Sequence, residues 1–201
     1  ADWAGHIALL EARQPFHDLE LCRLDEAGDK VWVASSGEPV FDEVGIFKGY
    51  RGVGKDITER KRAEALQALE HTVARQLADA DSTPEALQAA MHAICEAQNY
   101  SCGRYFGVDE EAGVLRFGEA WGGQSPVIGQ FIENSRDLVF RPGAGSPGRV
   151  WQSGQPLWVA NVGRDPPASW PSLECDDAVR GEFVFPATAE GRTIGVLVFS
   201  C

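Results

Sequence analysis

Three patterns in the 201-residue sequence point to an α+β (mixed α/β) chain: two antiparallel sheets joined by one long helix. Residues 18–53 hold three strand-like runs separated by two acidic Gly turns. Residues 56–80 contain neither Gly nor Pro and repeat apolar residues at helical spacing. Residues 84–200 alternate helical and strand-like stretches and close on a strand that is apolar on both faces.

Trp3, Ile7 and Leu10 share one face of a short helix predicted over residues 3–13. Strands follow at 18–24, at Val31-Trp32-Val33-Ala34 and over Phe47 to Val53. The turns Asp25-Glu26-Ala27-Gly28-Asp29 and Asp42-Glu43-Val44-Gly45 are of nearly the same make, and they imply an antiparallel meander. Three strands and one helix bury little, so further chain before Ala1 is expected to complete this unit.

Asp56 or Thr58 can cap the helix predicted over 56–80, and Asp56 with Glu59 has capping-box spacing. Leu66, Leu69, Val73 and Leu77 recur at three- and four-residue steps against a polar opposite face. That narrow stripe suits pairing with a second helix, and the other reading is a surface helix lying on its own domain. Thr83 as N-cap and Pro84 in the first turn start the next helix, which runs to about Gln98 with Leu87, Met91, Ile94 and Cys95 on one face. Strands are predicted at 102–108, 114–121, 156–161, 182–188 and 194–200, and helices near 125–134, 146–153 and 175–180. The last strand carries Ile194, Val196 and Val198 on one face and Leu197 and Phe199 on the other, so cover is expected on both sides. The helix over 84–98 supplies one cover, and a helix beyond Cys201 is expected to supply part of the other.

Charge narrows the function. The net charge of −12 repels phosphate backbones and anionic lipid heads, which disfavours nucleic acid and membrane surfaces as partners. No run approaches the roughly 18 apolar residues of a membrane span. The chain does not begin with Met, which reads as a cut inside a longer gene product. Five cysteines fit no disulfide or zinc spacing and read as reduced thiols of a cytoplasmic protein.

Two resemblances emerge from particular residues. The segment from Gly37 to Lys61, with its ending Asp56-Ile57-Thr58-Glu59-Arg60-Lys61, resembles the C-terminal end of a PAS domain and its exit into an output helix. The runs Phe117–Gly122, Phe140–Trp151, Gly154–Val159, Phe183–Pro186 and Ile194–Phe199 resemble a GAF domain of bacterial sensor kinases and cyclic-di-GMP enzymes. Together they imply residues 1–57 as the C-terminal part of a PAS domain, 58–80 as a connecting helix and 81–201 as a GAF domain lacking its final helix. Such modules are sensors in linear arrays. The implied role is a non-catalytic input module for a downstream histidine kinase or diguanylate cyclase/phosphodiesterase, paired as a homodimer through Leu66, Leu69, Val73 and Leu77. A structural spacer without ligand is the alternative.

Enzyme chemistry finds little purchase. The four histidines, His6, His17, His71 and His92, lie in no Ser/His/Asp or Cys/His signature, and neither HExxH nor Cys-x-x-Cys occurs. Gly143-Ala144-Gly145-Ser146-Pro147-Gly148 lacks the Lys-Ser/Thr ending of a phosphate loop, and its Pro removes an amide donor. Cys175 is followed by Asp176, unlike the Cys-His of bilin-binding GAF relatives. His6 stands where haem-binding PAS relatives carry their ligand, but one His specifies little, and no cofactor is expected. A thiol reductase of the GAF type would need clustered cysteines with a low-pKa thiol. An unidentified small-molecule ligand is compatible with Arg104, Phe106, Trp121, Phe131, Phe140, Trp151 and Trp158, which the resemblance places around the GAF pocket. Aromatic walls with one cation suit an apolar or anionic ligand, and the same aromatics are equally the makings of a core. Arg104, if inward, needs a partner: Glu119 across the hairpin, or a bound anion.

Overall fold

The computed structural model describes residues 3–122, 125–162 and 179–201. The chain divides into two units, Ala1–Ala68 and Leu69–Cys201, with the boundary inside one helix.

In the first unit α1 (Trp3–Glu11) precedes β1 (Phe16–Leu24), β2 (Lys30–Phe41) and β3 (Phe47–Asp56), paired antiparallel in the order β1-β2-β3. The meander is present, and its middle strand runs 12 residues, well past Ala34. Ser35, Ser36 and Gly37 hide that continuation from a hydrophobic pattern, yet they pair with Leu19, Val53 and Gly52. The two acidic turns set the register. Asp25 Oδ1 accepts from the amides of Ala27 and Asp29 at 2.9 and 2.8 Å, and Asp42 Oδ1 from those of Val44 and Ile46 at 3.1 and 2.8 Å. Gly28 and Gly45 follow at φ +88° and +82°, a backbone region costly for residues with a Cβ.

The helix α2 (Thr58–Asp79) starts at a hydrogen-bonded corner on β2. The amide of Ile57 donates to Trp32 O at 2.9 Å, and that of Trp32 to Thr58 Oγ1 at 2.9 Å. Asp56 accepts from the Thr58 amide at 2.8 Å, so the cap comes from Asp56. Glu59 pairs with Arg62 at 3.0 Å. Below the corner, Glu20 of β1 meets Arg60 at 2.7 Å and Lys61 at 2.6 Å, and Glu64 meets the same two cations.

The second unit continues with α3 (Thr83–Gln98), β4 (Cys102–Asp109), β5 (Val114–Gly122), α4 (Pro126–Ser135), β6 (Val139–Phe140), α5 (Gly145–Ser153), β7 (Leu157–Val159), β8 (Glu182–Ala189) and β9 (Arg192–Ser200). Six antiparallel strands lie in the order β6-β5-β4-β9-β8-β7. β6 was not expected, because two residues carry no period. The cap of α3 is Ser82, not Thr83: its extended backbone brings its hydroxyl to the Glu85 amide at 3.4 Å, while Thr83 is already helical. The helix predicted near 175–180 falls largely on residues 175–178, outside the described ones, and Val179 and Arg180 lie outside regular structure.

Alternation along the strands sorts the core. Gly103 lies against Met91 of α3, whereas Gly122, on the other face, lies against Ile128 and Ile132 of α4. Val196, Val198 and Phe199 are wholly buried, as a strand covered on both faces requires. The fold is α+β, an antiparallel sheet with helices on both faces. Among the described residues no helix is long and apolar enough to cross a membrane.

Candidate functional site

β4 turns Cys102, Arg104 and Phe106 to the face that carries α4 and α5, and all three are wholly buried. A buried guanidinium must be paired and hydrogen-bonded or it unfolds its surroundings. Arg104 Nη2 donates to Glu182 Oε1 at 2.7 Å and to Ser200 Oγ at 3.0 Å, and Nη1 donates to Ser135 Oγ at 3.0 Å. Its plane lies over the Phe131 ring, 4.2 Å from the centroid. Glu182 divides its oxygens, taking Arg104 on one and Ser146 Oγ, at 3.0 Å, on the other. Ser135 in turn donates to Phe131 O at 2.7 Å.

Glu119 is not the partner of Arg104. It pairs across the hairpin with Tyr105, while Arg104 stands opposite Ala120, so the carboxylate lies on the other face and accepts from Gln88 Nε2 at 2.8 Å. The counter-ion comes from β8, 78 residues along the chain, a separation no local spacing reveals. Four members of this group, Ser135, Ser146, Glu182 and Ser200, were missed for the same reason.

The remaining aromatic candidates divide. Phe106 and Phe140 meet edge to face at 5.1 Å in the largest apolar cluster, and Trp151 packs against it. Phe131 belongs to a second cluster with Cys102, Ile128 and Val179. Trp121 lies on the α3 face, stacked on His92 at 4.6 Å. Trp158, on the outermost strand, is 53% exposed beside Phe183. Neither of these two tryptophans joins Arg104. The Gly143–Gly148 segment is no phosphate cradle: Gly145, Ser146, Pro147 and Gly148 are buried in the first turn of α5, and a Cβ on Gly148 would strike the Arg141 carbonyl.

Cys95 and Cys102 are buried, and Cys22 and Cys201 are exposed. Burial, with Cys102 nearby, pushes the Cys95 thiol up to about 12. Cys175 lies outside the described residues. Among those described, no group of His, Cys, Asp or Glu could hold a metal ion. His6, in the first unit, is nine-tenths buried and set edge-on to Phe16 at 4.8 Å. Of the row on α2, Leu66 and Leu77 are 55% and 49% exposed, and Leu69 and Val73 are half-buried.

The sheet order, the helix on one face and the two helices over a buried polar centre on the other agree with a family match. Residues 80–201 match the model of the GAF domain. The chain belongs to the GAF domain family. No curated protein matches it. Among solved structures, it is similar to the GAF domain of a phosphoenolpyruvate-protein phosphotransferase from Coxiella burnetii, with 20% identity over 68% of this chain and 76% of that one and a TM-score of 0.56. It is also similar to the A. aeolicus nlh2 GAF domain, with 15% identity, 70% and 80% covered and a TM-score of 0.55. A third is the free methionine-R-sulfoxide reductase from Neisseria meningitidis, with 22% identity, 70% and 74% covered and a TM-score of 0.53. At these identities the likeness shows the GAF fold alone.

Proposed function

We propose that this chain is a non-catalytic sensory or regulatory piece of a bacterial signal-transduction protein, in which α2 links the GAF unit to the sensor unit before it. The observation that carries the reading is α2 itself. Twenty-two residues of unbroken helix run from one unit into the next, with Leu66 and Leu77 about half uncovered. Such a row on an otherwise polar helix favours a helical partner, and a second copy of the chain offers Leu66, Leu69, Val73 and Leu77 in return. The Asp56-Ile57-Thr58 corner, bonded to Trp32, supports reading residues 1–57 as the C-terminal part of a PAS domain, 58–80 as the connecting helix and 81–201 as the GAF domain. The output would be a histidine kinase or a diguanylate cyclase/phosphodiesterase module further along the parent chain, in the cytoplasm. The stimulus would be a small molecule or a protein, and the reading requires no cofactor.

The methionine-sulfoxide reductase of similar fold raises a second reading, a thiol reductase. It needs a thiolate at neutral pH. A Cys95 thiol held at about 12 weighs against that cysteine as the nucleophile. Light scattering over a concentration series tests the main reading. The wild type should dimerise, and Leu66→Glu with Leu77→Glu should give a folded monomer. A wild type that stays monomeric at high concentration would sink helix pairing. An assay of free methionine sulfoxide with dithiothreitol should show no turnover; turnover abolished by Cys95→Ser would establish the reductase instead.

A further inference from the structure

α4 and α5 cover the same face of the GAF sheet but are seated in different apolar clusters. α4 gives Ile128 and Phe131 to one cluster, and α5 gives Val150 to another. Among the described residues no apolar cluster holds side chains of both helices.

What runs from one helix to the other is polar. Ser135 of α4 accepts from Arg104, Arg104 donates to Glu182, and Glu182 accepts from Ser146 of α5, at 3.0, 2.7 and 3.0 Å. Each of these four side chains is at most 2% exposed. In so dry a setting the hydroxyl bonds at both ends are charge-assisted, and each is strengthened by the ion pair between them. The pair in turn depends on the water exclusion that both helices provide, because a wetted ion pair loses most of its attraction. Lifting either helix therefore weakens the hold on the other.

We propose that the relay Ser135–Arg104–Glu182–Ser146 couples α4 to α5, so that the two helices leave the sheet and return to it as one unit. A change felt at one helix is then felt at the other, although their apolar contacts are separate.

Hydrogen exchange on the whole chain, read helix by helix, tests this. Glu182→Gln keeps the shape of the side chain and removes its charge. The amides of α4 and α5 should then exchange faster together, on the order of 100-fold, while those of α3 change less than about tenfold. Val184→Ala, on the same strand and in the α5 cluster, should loosen α5 without α4. Ser146→Ala cuts the relay at one end without unpairing the ions, so it folds even where the charge variant does not. It should speed exchange in α4 as well as in α5. Unchanged exchange in α4 of the Ser146 variant, or a uniform rise over the whole unit in Glu182→Gln, overturns the coupling.

Discussion

The two units hold their charges in opposite ways. Among the described residues of Ala1–Ala68 only His6, Gly37, Ile57 and Thr58 are buried, and the ion pairs of Glu20 and Glu64 with Arg60 and Lys61 stand in water. The GAF unit instead buries Arg104 and Glu182 completely and surrounds them with hydroxyls and an aromatic ring. The same chemical pair thus does two jobs. On the surface, water and salt screen it, and it orients the start of a helix. In the core it cannot be broken singly without leaving an uncompensated charge.

The largest test of that contrast is Arg104→Met. It should cost the GAF unit about 3–5 kcal/mol in urea unfolding, because Glu182 is left charged and dry. Glu20→Gln, the surface counterpart, should leave the unfolding midpoint almost unmoved. A small loss at Arg104 would mean that water reaches the pair.

Of similar size is Phe106→Ala, which removes a wholly buried ring from the largest cluster and should cost about 3–5 kcal/mol by the same measurement. The first unit should barely respond, since it has no comparable side chain to lose. Thr58→Val should cost about 1–3 kcal/mol, because it strands the Trp32 amide at a buried corner. Faster exchange of that amide would locate the damage at the start of α2.

The remaining effects are titrations. Above the ordinary thiol value of 9.0 an unfolded Cys95 ionises, while the folded thiol stays protonated up to about 12. Stability should therefore fall as pH rises through that window, by at most about 1.4 kcal/mol per pH unit. Cys95→Ala should remove the part of the slope that begins at the thiol, leaving that of Tyr100 and Tyr105, whose phenols burial also pushes up. The carboxyl of Asp42 is shifted the other way, held below its ordinary value by Lys48 and by the amides of Ile46 and Val44. Its contribution is present above the unfolded value and is lost as pH falls through the folded one. Asp42→Asn should remove that acid sensitivity from the β2–β3 turn, as read by the Val44 and Ile46 amide shifts.

The sequence by itself determined what depends on neighbours close along the chain. The Asp-x-x-Gly turns, the unbroken helical period of α2 and the doubly apolar β9 are local patterns, and each recurs in the structure. A run of GAF-like segments in order carried the family for the same reason. The inward turn of Arg104 was half legible, since a cation in an apolar strand asks for a partner. Which partner it takes was decided only by the tertiary fold. A bulge between Tyr105 and Phe106 and the β4–β9–β8 order send Glu119 to one face and bring Glu182 to the other. Sequence spacing carries no record of which strands lie side by side, so Ser135, Ser146, Glu182 and Ser200 stayed invisible until the sheet placed them around one guanidinium.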